Sequence, residues 1–314
     1  QHPAHPDRAT LLRAYRLMQT SAEMARLYEE NKAVTAKYVH ASARGHEAIQ
    51  LAAACFVGPQ DYLALYYRDD AFMLGLGLQP YELMLQLMAK RDDPFSGGRT
   101  YYSHPSLRRA GFPTIPHQSS ATGMQAIPAT GVAHGLKYLE SQGVNPLLPD
   151  PRDLYESGQP LPGLYGQQPA PANADRPLVV CSIGDGAMTE GEVAEALQMA
   201  VLHQLPIIYL VQDNEWGISA TGREMRAMNA YEFAAGFKGL HRLQCDGADF
   251  VDSYAAMQTA AGYVRARRGP VLVHAKCPLL GHHTSGVRRE WYRGDNLTEH
   301  QQNDPLPRFH QQLL

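Results

Sequence analysis

The apolar positions of the chain alternate between strand-like runs and helical periodicity, and the clearest example lies just beyond its middle. A β-branched apolar run from Leu178 to Ile183 stops at Gly184-Asp185-Gly186. A segment with helical spacing of apolar residues begins near Thr189, and a second apolar run extends from Pro206 to Val211. This order predicts a strand, a helix and a second strand.

Similar patterns flank this unit on both sides. They predict helices at 10–30, 45–54, 80–90, 130–138, 231–236 and 250–267, and strands at 62–66, 240–246 and 270–276. Strands that alternate with helices are typical of α/β proteins, so we expect a doubly wound, mainly parallel sheet flanked by helices. We expect one domain over 1–314, with a helical N-terminal segment at 8–35 and a proline-rich surface insertion at 143–177.

Composition and charge exclude several classes of protein. At 314 residues, with 44% hydrophobic and 19% charged residues, the chain can bury a sizeable core. A net charge of −3 is not typical of nucleic-acid binding, and no run of about 18 apolar residues predicts a membrane span. Four widely spaced cysteines favour buried thiols in a reducing compartment. We expect a cytoplasmic protein, or a mitochondrial-matrix protein in a eukaryote.

Two polar residues, Asp185 and Asn214, follow the two central strands directly. Because the carboxyl ends of parallel strands meet at one edge of a sheet, we expect these side chains to be neighbours. Carboxylate and amide oxygens are the hard ligands that Mg²⁺ prefers, and the flanking glycines allow a ligand to approach the backbone closely. The pattern therefore predicts a diphosphate bridged by Mg²⁺, although an isolated Gly-Asp-Gly is most often only a turn.

The combined pattern is more specific than its parts. Gly184-Asp185-Gly186 is followed, after fewer than thirty residues, by Asn214-Glu215-Trp216-Gly217-Ile218-Ser219. This resembles the thiamine diphosphate motif and the N-x-[YF]-[GA]-I-S of the α subunits of 2-oxoacid dehydrogenase decarboxylase components. The resemblance, closest to the branched-chain type, implies a thiamine diphosphate-binding fold. It further implies Mg²⁺ bound by Asp185, Asn214 and the backbone carbonyl of Trp216, and cofactor contacts from Gly184, Gly186, Ala187, Glu190 and Ile218.

Three further segments match the same family. Tyr67-Arg68 alone would most often be a surface salt-bridge site, but the family has Y-R at this distance before its GDG, so the resemblance implies that both residues bind the diphosphate. In the segment 119–128 it implies contacts with the aminopyrimidine ring, which we assign to Ser120 and Met124. Thr122 is a second candidate for the wedge beneath the cofactor. Arg223 and Arg226 are both candidates for an arginine near the phosphates.

Gly45-His46-Glu47-Ala48 matches the family's G-[QH]-E-A. A turn before an alanine-rich helix explains these residues equally well, so we assign no role to His46.

The segment Gly281-His282-His283-Thr284-Ser285-Gly286 resembles the G-H-H-S-T-S-D-D loop of branched-chain 2-oxoacid decarboxylases, and less closely the H-G-H-S-x-S-D of pyruvate enzymes. In that family the histidine before the hydroxyl residue is catalytic, so the resemblance implies that His283 acts in catalysis and contacts the cofactor. Adjacent histidines point in different directions in most backbones, and we expect only one of them to meet the substrate. Gly286 stands where an acidic residue is usual.

The resemblance implies the α-type half of a decarboxylase component that binds Mg²⁺ and thiamine diphosphate. It would oxidatively decarboxylate a 2-oxoacid, branched-chain favoured, and transfer the acyl group to a lipoyl-bearing acyltransferase. A β-type subunit or fused β domain would supply the activating glutamate. Pyruvate and acetoin are alternative substrates, and a non-catalytic thiamine-fold binding subunit is the alternative from another class. Asp304 to Phe309 resembles the start of a C-terminal helical region that we expect to be cut short.

Overall fold

A parallel sheet of five strands forms the centre of the structure, which is a computed structural model that describes residues 4–116, 121–144 and 175–314. The strands are β1 Tyr62–Ala64, β2 Val179–Gly184, β3 Ile207–Asp213, β4 Trp216–Gly217, β5 Ala220–Thr221, β6 His241–Asp246 and β7 Val271–Lys276. The central sheet has the order β1-β2-β3-β7-β6, with every neighbouring pair parallel. Strands β4 and β5 form a separate antiparallel pair.

Helices precede and connect the strands. They are α1 Arg8–Glu30, α2 Lys32–Thr35, α3 Glu47–Ala54, α4 Asp70–Leu76, α5 Pro80–Leu87, α6 Ala126–Ser141, α7 Gly191–Leu202, α8 Gly222–Met225, α9 Ala230–Phe233, α10 Phe250–Arg265, α11 Asn296–Gln302 and α12 Pro305–Leu313. Side-chain caps fix several starts: the Asp7 carboxylate accepts from Thr10 N at 2.7 Å, and the Asp249 carboxylate accepts from two backbone N–H groups of α10.

The sheet is buried on both faces. Alternate residues of β2 and β3 point into two separate cores: Val180, Ile208 and Leu210 pack with α1, α3, α4 and α10, whereas Val179, Cys181, Ile183 and Tyr209 pack with α6 and α7. Burial on both faces explains why these strands are almost continuous apolar runs. The predicted fold, a doubly wound α/β sheet flanked by helices, is confirmed.

Several element ends differ from the prediction. Residues Asp185–Thr189 form a 3-10 turn, and Glu190 then adopts an extended backbone (φ −80°, ψ 138°), so the α-helix begins at Gly191 rather than near Thr189. Strand β1 ends at Ala64 because Tyr66 N donates to the Asp69 carboxylate (3.0 Å) in a turn. The helical N-terminal segment is present as α1 and α2.

Part of the sequence prediction lies outside the described residues. Most of the proposed insertion, residues 145–174, belongs to this part of the chain, and both the insertion and the single-domain assignment stay predictions. Across the described ranges, no helix is both long and apolar enough to cross a bilayer. All four cysteines are buried with free thiols.

A buried ion pair joins the amino-terminal side of the sheet to α10. Arg265 donates to both carboxylate oxygens of Asp61, at 2.9 and 2.6 Å, and both side chains are almost inaccessible to solvent. The same carboxylate accepts from the backbone N–H groups of Gly58 and Leu178. One acid therefore anchors the start of β1, the start of β2 and the end of α10.

Replacing Arg265 by methionine leaves the Asp61 carboxylate buried without its cation. We expect Arg265→Met to lower the free energy of unfolding by about 3–5 kcal/mol, the cost typical of breaking a buried pair. Urea unfolding measures this. The control is Arg26→Met, because Arg26 pairs with Glu23 and Glu30 on the exposed face of α1 and should contribute little. Equal losses in the two variants would contradict the anchoring role.

Candidate active site

The carboxyl ends of β1, β2 and β3 open onto a cavity of about 300 Å³. The parallel register brings these ends together, since Ala64 pairs with Cys181 and Gly184 pairs with Gln212. Ten of the residues predicted from the sequence line this cavity: Tyr67, Arg68, Gly184, Asp185, Gly186, Ala187, Asn214, Trp216, Ile218 and His283. The loop that carries His283 follows β7 and reaches the same edge of the sheet.

Of the three other predicted cofactor contacts, the two that the structure describes, Met124 and Glu190, do not line this cavity. Ser120 lies outside the described residues. Met124 is 49% exposed and Glu190 is exposed, and within the described part of the chain the cavity lining contains neither of them. Thr122, the second candidate for the wedge position, does line the cavity. Glu190 instead packs beneath the 121–125 turn, where a Cβ on Gly123 would lie 3.2 Å from its Cβ and Cγ atoms.

Two buried carboxylates, Asp185 and Asp213, share one arginine. Arg226 donates to Asp185 Oδ2 and, at 2.8 Å, to Asp213 Oδ1, while His274 Nε2 lies 2.8 Å from Asp213 Oδ2. Arg226 is therefore the arginine of the predicted pair that reaches this site, and Arg223 is exposed. Sequence reasoning missed Asp213 and His274; an acid and a histidine in otherwise apolar strands were the available signal.

The two carboxyl groups have opposite pKa shifts. Burial and the charge of Asp213 raise the pKa of Asp185 to about 7, against the opposing effect of Arg226. Burial alone would also raise the pKa of Asp213, but the hydrogen bond with His274 and the charge of Arg226 outweigh it and hold that pKa below its ordinary value. Asp213 therefore carries the more stable negative charge of the pair.

Asn214 offers an amide oxygen at the end of β3. Its Oδ1 accepts from Trp216 N at 3.0 Å, which closes a tight turn, and its Nδ2 lies 3.1 Å from His46 Nε2. A carboxylate oxygen from Asp185, an amide oxygen from Asn214 and a backbone carbonyl form a hard donor set that fits Mg²⁺. Across the described ranges, no cluster of three His, Cys, Asp or Glu side chains could hold a metal by itself.

Arg68 is a buried cation that has no carboxylate partner among the described residues. Its guanidinium donates to the backbone carbonyls of Ser42, His282 and His283 at 3.1–3.4 Å, and it lies 5.2 Å from the Tyr67 ring. Of the described side chains, no carboxylate lies within ion-pair distance, and no described group accepts a bond from its Nε. Such an arrangement fits an anion with several acceptor oxygens, as a diphosphate has.

The two adjacent histidines face different surroundings, as expected. His282 contacts Glu29 through Nε2 (3.2 Å) and accepts from Arg289 N through Nδ1 (3.0 Å), away from the cavity. His283 lines the cavity 5.9 Å from the Tyr67 ring, and its buried Nδ1 has no partner in the described part of the chain. Burial and the charge of Arg68 lower the pKa of His283 to about 3, so its imidazole is neutral at physiological pH.

Known proteins are similar to this chain over most of its length. The family model described as dehydrogenase E1 component matches residues 14–314. The 2-oxoisovalerate dehydrogenase subunit alpha of Bacillus subtilis is 26% identical, over 84% of this chain and 70% of its own length. The 3-methyl-2-oxobutanoate dehydrogenase subunit alpha of Mycobacterium tuberculosis is 27% identical, over 85% of this chain and 60% of its own length. The pyruvate dehydrogenase E1 component subunit alpha of Mycoplasma genitalium is 26% identical, over 84% of this chain and 61% of its own length. The chain thus spans 60–70% of the length of these relatives.

Behind the cavity, Asp70 is fully buried at the start of α4, where Tyr102 Oη lies 3.3 Å from its carboxyl group. Burial, with a further effect from Glu47, raises its pKa to about 7. Between pH 3.8, the pKa of this group in the unfolded chain, and pH 7, the folded protein therefore keeps a proton on Asp70 that the unfolded chain has lost. The stability from this group is complete below pH 3.8 and is lost as the pH rises towards 7.

Asp70→Asn removes this titration. We expect the free energy of unfolding of the variant, relative to that of the wild type, to increase as the pH rises. The increase should reach up to about 1.4 kcal/mol per pH unit below pH 7. Urea unfolding at several pH values measures the difference. Asp92→Asn, at an exposed carboxylate, is the control and should track the wild type. A difference that does not change with pH would contradict the raised pKa.

Proposed function

The chain belongs to the dehydrogenase E1 component family, and from this premise we propose that it is the α-type half of a 2-oxoacid dehydrogenase decarboxylase component. Membership of this family implies thiamine diphosphate as the cofactor. The observation that carries the proposal is Arg68, a buried guanidinium without a described carboxylate partner, beside a hard oxygen donor set and a neutral histidine. A buried cation is costly unless an anion accompanies it, and a diphosphate would supply that anion.

Each part of the cofactor would meet a different set of residues. We propose that Arg68 and Tyr67 bind the diphosphate and that Asp185, Asn214 and the Trp216 carbonyl hold Mg²⁺. Gly184, Gly186 and Ala187 line the cavity with backbone and small side chains, which permits close approach. Because Arg226 already contacts Asp185, a bound Mg²⁺ would compete with it for that carboxylate. When bound, thiamine diphosphate would supply the carbanion chemistry that decarboxylation of a 2-oxoacid needs.

His283 is the proposed proton-transfer group. Its Nδ1 is buried at the cavity with no partner among the described residues, and the charge of Arg68 contributes to its lowered pKa. A bound diphosphate would offset that charge and raise the pKa of His283 towards the range in which an imidazole exchanges protons. Arg68 orients the loop by donating to the carbonyls of His282 and His283. One arginine would therefore bind the phosphate and hold the catalytic histidine in place.

Part of the remaining lining is aliphatic or aromatic and would suit an apolar substrate group. Val39, Tyr66, Tyr101, Tyr102 and Ile218 face the cavity together with the proposed catalytic residues. We propose a branched-chain 2-oxoacid as the substrate, which also agrees with the names of two of the relatives. Pyruvate is the second candidate, because another relative of equal similarity is named as a pyruvate dehydrogenase component.

We propose two protein partners. A β-type subunit or fused β domain would supply the activating glutamate, and a lipoyl-bearing acyltransferase would take the acyl group. A non-catalytic binding subunit is the competing proposal; it predicts cofactor binding without turnover in a complete assembly.

Calorimetric titration of thiamine diphosphate with Mg²⁺, into the chain alone and co-expressed with a β-type partner, tests the cofactor site. We expect saturable, Mg²⁺-dependent binding that Asp185→Ala abolishes. Arg68→Met should weaken it by about 10- to 100-fold, the loss of a charge-assisted contact. Arg223→Met, at an exposed arginine, should bind like the wild type. Absence of binding in both preparations would reject the proposal.

His283→Asn tests the catalytic assignment separately. We expect the variant to bind thiamine diphosphate and Mg²⁺ but to lose about 10²- to 10⁴-fold in kcat for decarboxylation of a branched-chain 2-oxoacid, since general acid–base groups contribute this much. Steady-state kinetics of the assembly with its partner give the result. His282→Asn, which alters the histidine facing Glu29, is the matched control. Similar losses in both variants would point to a general disturbance of the loop.

A further inference from the structure

A chain of buried side-chain hydrogen bonds runs behind Asn214. It links Gln50 on α3, Gln212 on β3 and His46 at the start of α3 to the Asn214 amide, and all four side chains are buried. His46 has no role among the residues predicted from the sequence. We propose that His46 is a positioning residue that fixes the direction of the Asn214 amide, so that its oxygen rather than its nitrogen faces the proposed metal site.

The donor and acceptor roles along these hydrogen bonds follow from Gln50, at one end of the series. Gln50 Oε1 accepts from the backbone N–H of Phe72 (3.2 Å), and Gln50 Nε2 donates to the Arg68 carbonyl (3.0 Å). Both partners are backbone groups with one possible role each, so the orientation of the Gln50 amide is determined. Its Nε2 also donates to Gln212 Oε1 at 2.9 Å.

The orientation of the Gln212 amide is also determined by its partners. Its Nε2 donates to Asp69 Oδ1 and to Ser182 Oγ, both at 2.8 Å, which leaves Oε1 as the atom that faces His46. His46 Nδ1 lies 2.9 Å from that oxygen and must donate to it. A neutral imidazole that donates from Nδ1 can only accept at Nε2.

The last link determines what Asn214 presents. His46 Nε2 accepts from Asn214 Nδ2 at 3.1 Å, and Asn214 Oδ1 accepts from Trp216 N at 3.0 Å. A flipped amide would place oxygen against the imidazole lone pair and an N–H group against the Trp216 N–H. Both contacts therefore favour one orientation, which leaves the second lone pair of Oδ1 for a cation.

A close backbone approach places His46 at this position. Gly45 has φ +99°, and a Cβ there would lie 1.7 Å from the carbonyl oxygen of Pro278, just beyond β7. Only glycine permits this contact, so the start of α3 can lie against the segment that follows β7.

The test measures metal affinity rather than activity, because the inference rests on the proposed cofactor site. Mn²⁺ is titrated at saturating thiamine diphosphate and followed by electron paramagnetic resonance, using the full chain in whichever preparation binds the cofactor. We expect His46→Leu to weaken Mn²⁺ binding by about 10- to 100-fold, as is typical when a residue behind a metal ligand is lost. His46→Gln should recover most of the affinity, because its amide can donate to Gln212 and accept from Asn214.

Two further variants separate orientation from general damage. Gln212→Met changes neither Asn214 nor another proposed metal ligand. It removes the acceptor that holds the proton on His46 Nδ1, so it should also weaken Mn²⁺ binding. In an Asn214→Asp background either orientation presents an oxygen, so His46→Leu should cause no further loss. The control is His300→Leu, at a buried histidine whose Nδ1 accepts from Leu279 N outside this chain of bonds.

The outcomes distinguish this inference from the proposed function. Wild-type affinity in folded His46→Leu or Gln212→Met, or an equal loss in the Asn214→Asp background, overturns the orienting role and leaves the cofactor site intact. If His46→Leu does not fold, Gln212→Met and the recovery by His46→Gln decide the question. A wild-type protein that binds neither Mn²⁺ nor thiamine diphosphate overturns both proposals.

Discussion

Burial of both faces of the parallel sheet is the constraint on which the rest of the structure depends. Strands β2 and β3 place apolar side chains in two cores, so a polar group on them must find a partner inside the protein. Ser182 and Gln212 satisfy this requirement by bonding to each other and to the acid Asp69. Asp185, Asp213 and Asn214 lie at the carboxyl edge, where the strands end and loops supply further partners.

Negative and positive charges lie on different sides of the cavity at this edge. Arg226 bridges Asp185 and Asp213, and of the two carboxyl groups Asp213 holds its negative charge, whereas the pKa of Asp185 is raised to about 7. Arg68 contacts backbone carbonyls and the Tyr67 side chain but no described carboxylate, so positive charge remains on the other side of the same cavity. A ligand with a phosphate group and a bound cation is complementary to both halves of this separation.

Much of the fold and part of the site could be predicted from the sequence. The spacing of apolar residues predicted the order of the elements, and the parallel arrangement predicted that Asp185 and Asn214 lie at the same edge, where both line the cavity. The roles given to those residues came from the family resemblance and stay proposals. The pairing of Arg226, the exposure of Met124 and the position of Glu190 depend on contacts between distant segments. No periodicity or motif spacing contains that information.

The elements that fix the site most closely carry none of the proposed cofactor ligands. The Asn214 amide takes its direction from Gln212 and His46, and these take theirs from Gln50, which is oriented by the Phe72 N–H of α4. A backbone group of a core helix thus determines which atom of a strand-end residue faces the cavity. Packing of α3 against α4 is therefore part of the chemistry of the edge, because a shift of either helix would break the hydrogen bonds that define it.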